Sequence, residues 1–423
     1  MIGPVRRLLG DPSVRWLAAA RALALLAAPL SLYLLVTRQP TSARGFYLIA
    51  INVVALGQLF ETGLGTLVVQ FASRARPSER GVVRGSADRW FTRAAVTFLA
   101  VAATIGSWVL ATGASTATVD FLLPWGVVLL CTAAYIRLTP LVCLREGGGD
   151  VEAVQRMRAA QAVAVAAATV LGLRFGRGIG AAAWAAVAQV TVAGLFVLAR
   201  RASLPVADAP TGRLAEQYQR EQGRSARVWI ALWIAPQVLT PATMYLRGAG
   251  AAGDVGLHVA LALAPPVLSV AWMHARYPRL GALVASGALR TFDDTARHSL
   301  VQALWVFGAS AAALLVLAVA GPYVLPFLAG GVVSPPMLVV LLVGTLMLVL
   351  LQAMLAWFRA FADERLAPQV VVACAAMAVG AVCGSAVGGA FGAAAGFSAV
   401  GVAVTGIIGL GFLRLRSQRL AGV

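Results

Sequence analysis

Long apolar stretches alternate with short polar connections along the whole chain. A helix of about 20 apolar residues crosses the hydrocarbon core. Stretches of that kind fall at residues 16–37, 45–72, 91–112, 119–143, 157–175 and 178–199, then at 227–246, 253–275, 298–320, 336–358, 367–387 and 390–413. The pattern predicts an all-α, polytopic membrane protein of about 12 transmembrane helices in two six-helix bundles. A closed β-barrel does not fit, because the stretches are continuously apolar instead of alternating at every second residue. The polar connection carrying Arg200, Arg201, Arg213, Glu216, Arg220, Glu221 and Arg224 sets the expected organisation: a first bundle over 1–200, a cytoplasmic linker over 201–226 and a second bundle over 227–423.

A weak internal repeat agrees with that division. Arg15, Pro29, Tyr33 and Leu34 recur as Arg227, Pro241, Tyr245 and Leu246 at a constant offset of 212. A same-direction repeat six spans apart implies two bundles related by an axis along the membrane normal, with a site between them. Chance similarity between apolar segments is the competing explanation. Pro29, Pro124, Pro140, Pro236, Pro241, Pro265 and Pro266 fall inside spans and predict kinks. Gly380, Gly384, Gly388, Gly392 and Gly396, every fourth residue through the last two spans, predict close helix packing.

Composition makes the lipid assignment firm: 60% of the residues are hydrophobic and 12% charged, too few polar groups to cover a soluble globule of this size. The formal charge of +18 would suggest nucleic acid in a soluble protein. Here the basic residues, all 34 of them Arg, sit beside apolar spans, where they set topology and meet anionic headgroups; nucleic acid is not an expected partner, whereas membrane lipids are. The N-terminus, the even-numbered connections and the C-terminus, with the span ends beside them, hold 27 of the arginines. The odd-numbered connections and the span ends beside them hold Arg38, Arg44, Arg174, Arg177 and Arg247, and two arginines, Arg21 and Arg137, lie deep inside spans. This asymmetry places both termini in the cytoplasm. Cys131, Cys143, Cys374 and Cys383 lie in apolar segments without metal-ligand spacing, so neither a disulfide framework nor a metal site is expected. No cofactor motif is found either, and no Gly-Lys-Ser/Thr nucleotide loop.

Polar residues at depth supply the candidate chemistry. Arg21 and Arg137 lie roughly 9 to 12 Å inward of Arg15 and Arg145, at 1.5 Å per residue. An arginine at such depth faces a wet cavity, snorkels to the interface or pairs with an acid such as Glu61. Two guanidinium forks in a cavity would suit a diphosphate. Glu61 is the only acid well inside a span; either it neutralises Arg21 or it exchanges a proton or cation. Asp254 and His258, one turn apart at the outer start of the eighth span, form either an ion-coupling pair or an interface hydrogen bond. Gln237, Gln302 and Gln352 either bind sugar hydroxyls or bond neighbouring helices.

The segment Gly45-Phe46-Tyr47 through Leu59-Phe60-Glu61-Thr62-Gly63-Leu64-Gly65 to Gln70-Phe71-Ala72-Ser73 resembles the second helix of polysaccharide flippases in the multidrug/oligosaccharidyl-lipid/polysaccharide exporter superfamily. Gly321-Pro322-Tyr323-Val324-Leu325-Pro326-Phe327 and Trp357-Phe358-Arg359-Ala360 resemble that family's later half. The resemblance implies a MATE-like two-lobe architecture with alternating access in the bacterial cytoplasmic membrane. It further implies an undecaprenyl-diphosphate-linked oligosaccharide, an O-antigen or exopolysaccharide unit, as cargo, with a polysaccharide polymerase and glycosyltransferases as partners. Arg21 and Arg137 are assigned to the cavity from depth, and Arg247 and Gln237 to substrate contact on weaker grounds. A cation-coupled drug exporter of the same superfamily is the alternative. An integral glycosyltransferase or polymerase fits less well, because the outer connections hold almost no carboxylates beyond Asp120 and Asp254. The chain is therefore expected not to be an enzyme.

Overall fold

The computed structural model describes residues 33–60, 64–113, 118–175, 178–200, 206–209, 211–274, 286–324, 333–361 and 365–421, with a few scattered positions besides. The fold is all-α and polytopic. Its helices are α1 (Thr41–Leu59), α2 (Gly65–Arg74), α3 (Arg80–Val101), α4 (Ser107–Gly113), α5 (Thr118–Gly147), α6 (Val151–Arg174), α7 (Ile179–Ala199), α8 (Gly212–Gln237), α9 (Leu239–Ala262), α10 (Ala264–His274), α11 (Leu289–Val324), α12 (Pro335–Arg359) and α13 (Ala367–Ala421). The chain divides into two compact units, Met1–Trp229 and Ile230–Val423.

Large apolar side chains such as Leu123 (77% exposed) and Trp305 (75%) face outward, an arrangement suited to lipid and costly in water. Among the described residues, seven helical stretches are long and apolar enough to cross a membrane. Two of them are too long for one crossing. The 59-residue stretch Gly212–Val270 would extend about 89 Å as a straight helix, against a hydrocarbon core of about 30 Å. It is interrupted at Val238, between Pro236 and Pro241, at Gly248 (φ 85°, ψ 173°), and before Pro265. Each proline lacks the N–H that would bond the preceding turn. Pro124 and Pro140, by contrast, stay inside α5.

α13 is interrupted at Gly388 and Gly389, the latter with φ 61°. A Cβ on Gly380 would come within 2.7 Å of the Gly396 carbonyl, and one on Gly384 would collide with the Gly392 carbonyl. Both pairs are centred on residue 388, so the two halves of α13 run antiparallel with their backbones in contact. This hairpin is the pair of spans expected at 367–387 and 390–413, and its glycines are the packing seam.

In the first unit, a π-helical turn at Ala102–Gly106 joins α3 to α4. Gly106 leaves room for the Trp125 ring, whose Nε1 donates to Ser107 Oγ at 3.0 Å. Helices run beyond the predicted spans at their arginine-rich ends. α3 starts at Arg80 instead of 91, α11 at Leu289 instead of 298, and α13 continues to Ala421. The expected linker is also partly helical. α8 begins at Gly212 and buries Ala215, Tyr218 and Gln222 against the first unit. There the Tyr218 ring meets Phe71 edge-on at 5.3 Å. Ahead of it, Asp208 N donates to the Gly81 carbonyl, and Gly81 and Gly85 leave the groove in which Asp208 lies.

Candidate functional site

In the first unit the candidate site centres on Arg137 of α5. Its Nη1 donates to Asp88 Oδ1 of α3 at 3.0 Å, and Arg84, one turn earlier on α3, places Nε 3.6 Å from Asp88 Oδ2. The Arg137 side chain is 44% exposed and that of Asp88 17%. Among the described residues, Arg137 therefore keeps most of its donor fork open. Glu61 was one alternative partner expected for the deep arginines, but Glu61 and Arg21 lie outside the described residues. Around that segment, Phe60 packs on Trp90 and Phe91 at ring distances of 6.2 and 6.1 Å. Gln222 Nε2 reaches the Leu64 carbonyl at 3.4 Å.

Two further clusters in this unit were not anticipated. Tyr135 Oη donates to Gln161 Oε1 at 3.5 Å, and Gln161 Nε2 donates to the Gln189 carbonyl at 3.2 Å, so buried polar groups connect α5, α6 and α7. At the arginine-rich ends of these helices, Arg158 grips both oxygens of Glu146 at 3.0 and 2.7 Å. Asp150 accepts from Arg145 and Arg200. Three glutamines or tyrosines in apolar spans were the available signal for the first cluster. Acid-arginine alternation in the connections was the signal for the second.

In the second unit Arg247 donates from Nε to the Ser385 carbonyl at 3.1 Å and from Nη2 to the Ala386 carbonyl. These carbonyls belong to the turn before Gly388, where the helix ladder ends and acceptors are otherwise left over. His258 is buried. Its Nδ1 lies 2.7 Å from the Asp254 backbone carbonyl, and its Nε2 accepts from Ser334 N, also at 2.7 Å. Because Ser334 N can only donate, Nε2 is the acceptor and Nδ1 carries the proton; the ring caps the start of α12. The Asp254 carboxylate is exposed and does not take part. Gln302 accepts from Trp272 Nε1 at 3.1 Å, a bond between α10 and α11, and meets His298 of its own helix at 2.8 Å. Gln237 and Gln352 each keep a buried Oε1 without a partner among the described residues. No hydrogen bond joins Gln237, Arg247 and His258 to one another among the described residues.

The densest polar cluster of this unit escaped the sequence. Asp293 of α11, whose side chain is 10% exposed, is held through both oxygens by Arg416 of α13. It also accepts from Trp357 Nε1 of α12 at 3.2 Å, and Arg297 Nε stands at 3.6 Å. Phe292, Phe358, Phe361 and Phe412 surround the Trp357 ring at 4.9 to 5.7 Å. Each unit thus anchors an acid just ahead of its third expected span to a side chain of its fourth, Asp88 to Arg137 and Asp293 to Trp357. Among the described residues, no three His, Cys, Asp or Glu side chains converge to hold a metal ion.

These features define a polytopic α-helical membrane fold of two helical units. Among solved structures, it is similar over nearly its whole length to MATE transporters. An inward-facing multidrug resistance MATE family transporter of the MOP superfamily matches with a TM-score of 0.70 at 12% identity, covering 95% of this chain and 98% of that one. An outward-facing structure of such a transporter gives 0.65 at 15% identity, covering 99% of both chains. A MATE crystal structure in complex with MaD3S gives 0.63 at 16% identity, covering 98% of both. At these identities the likeness establishes the fold. No protein-family model matches the chain, and no curated protein matches it in sequence.

Proposed function

We propose that this protein is a flippase of the bacterial cytoplasmic membrane that carries a polyprenyl-diphosphate-linked oligosaccharide across by alternating access. The polar head would pass through the protein while the polyprenyl tail stays in lipid. The observation that carries this reading is Arg137, a cation on a transmembrane helix with one acid contact among the described residues and 44% of its side chain exposed. Such a fork is suited to phosphate oxygens and unsuited to a cationic drug. The MATE fold supports the alternating-access part, and the likeness of residues 45–73 to polysaccharide flippases supports the cargo.

The drug-exporter alternative draws on the same fold, since two of the similar structures are multidrug resistance transporters. Reconstitution separates the two readings. Purified protein in liposomes is expected to move a fluorescent short-chain polyprenyl-diphosphate oligosaccharide between leaflets, read by its accessibility to a lectin. No glycan movement together with proton-driven accumulation of ethidium would replace the flippase with the exporter.

A further inference from the structure

The two acid anchors differ in a way that bears on the cargo. Asp293 is saturated, with both oxygens on Arg416, a third donor from Trp357 and aromatic rings around it. Asp88 receives one Nη1 from Arg137 at 3.0 Å, and the guanidinium remains substantially open. Were Arg137 to turn away, Asp88 would still have Arg84 at 3.6 Å on its own helix and would not be left as a lone partly buried charge. A carboxylate also presents to a guanidinium the same paired oxygens that a phosphate group presents. Asp88 therefore holds one arm of the fork, Nη1, as a stand-in anion, with its second oxygen toward Arg84.

We propose that Asp88 is a specificity-determining positioning residue, holding Arg137 in the empty protein and giving it up to the diphosphate of the cargo. The proposal rests on the flippase reading. Exchange of one anion for another keeps Arg137 neutralised both with and without cargo. It also makes weakly charged or cationic molecules unable to release the arginine, because they offer nothing in place of the carboxylate. The cost of displacing Asp88 lowers the apparent affinity for every anion. That helps the protein let the head group go on the far side.

The test uses the full-length protein in detergent, with farnesyl diphosphate as the lipid probe and inorganic pyrophosphate as the free anion, titrated calorimetrically. Asp88→Asn keeps the shape and an acceptor but removes the competing charge. It is expected to bind farnesyl diphosphate about two- to fivefold more tightly than wild type, the range of a partly exposed ion pair. Its melting temperature should not rise. Asp88→Glu should bind like wild type, and Asp88→Ser should repeat the gain of Asp88→Asn if the latter folds poorly. Arg137→Ala should weaken binding, and adding Asp88→Asn to it should restore nothing, because Asp88 acts only through Arg137. A gain confined to farnesyl diphosphate assigns the site to a lipid head group, and an equal gain with pyrophosphate assigns it to the diphosphate alone; either supports the exchange. Equal affinities for wild type and both neutral variants, with Arg137→Ala weakened, overturn the exchange and leave the flippase reading intact. Absence of diphosphate binding in wild type and every folded variant overturns the flippase reading and the exchange with it.

Discussion

An arginine inside or outside a membrane segment needs acceptors, and in this chain it takes them from two sources. At the arginine-poor side the acceptors are helix ends. Arg44 donates to the Gln39 and Val36 carbonyls at 3.1 and 2.9 Å, closing the helical segment at 33–38, and Arg247 does the same for Ser385 and Ala386. Hydrogen bonds from a charged donor contribute about 1.5–3 kcal/mol each, so Arg247→Ala is expected to lower thermal stability by an amount of that order, with Arg247→Lys recovering part. Transport per folded molecule near wild type would mark the role as structural; a loss of transport well beyond the loss of stability would support the expected substrate contact of Arg247. Elsewhere the acceptors are acids. Removing one partner of a largely buried pair costs about 3–5 kcal/mol, which sets the expected effect of Asp293→Asn on melting. Asp293→Asn combined with Arg416→Gln should recover some of it, and a double variant no better than the worse single would deny the pairing its stabilising role. The sequence left Arg137 a wet cavity, the interface or an acid such as Glu61 at its depth. It did not point to Asp88, which is 49 residues away and sits just outside the apolar stretch that defines its span.

Elements were legible wherever hydrophobicity controls them and illegible where helices outlast it. Hydropathy measures the width of the hydrocarbon, whereas helix hydrogen bonding continues into the polar zone when side chains permit. The extensions here are strengthened by pairs one turn apart: Arg84 with Asp88, Glu152 with Arg156, Asp293 with Arg297. For the same reason residues expected to form a linker include the start of α8, whose buried Ala215, Tyr218 and Gln222 recur at helical spacing among charges. The glycine repeat was readable as packing, and the structure gives it a consequence. Gly384→Leu should abolish the folded protein by forcing the halves of α13 apart at the Gly392 carbonyl. Gly388→Ala, with nothing near its Cβ, should be tolerated, and Gly389→Ala, at φ 61°, should cost about 1–3 kcal/mol. Melting temperature after purification orders the three; a stable Gly384→Leu protein would refute the tight hairpin.

At the scale of the whole molecule, the arginine bias and the fold make separate demands that one labelling experiment can test together. The bias requires the ends near Glu79, Glu216 and Arg290 to share the cytoplasmic side with the C-terminus. Helix counting requires Phe175 and Gly331 to lie opposite, since one crossing, α7, follows Phe175 before the α8 connection, and α11 separates Arg290 from Gly331. Side-chain positions decide where to label. Ala215 is buried and would report nothing, whereas Glu216, Arg290 and Phe175 are exposed. The four native cysteines, of which Cys383 is exposed, must first be replaced. Single cysteines at Glu79, Glu216 and Arg290 are then expected to resist an impermeant maleimide in intact cells and to react after permeabilisation, while those at Phe175 and Gly331 react at once. Labelling Arg290 and Gly331 from the same side would remove α11 as a crossing and with it the two-times-six count. Labelling every site from the reverse side would keep the count but invert the protein. The Arg137 fork would then lie near the outer end of α5, where a head group assembled in the cytoplasm could not meet it first.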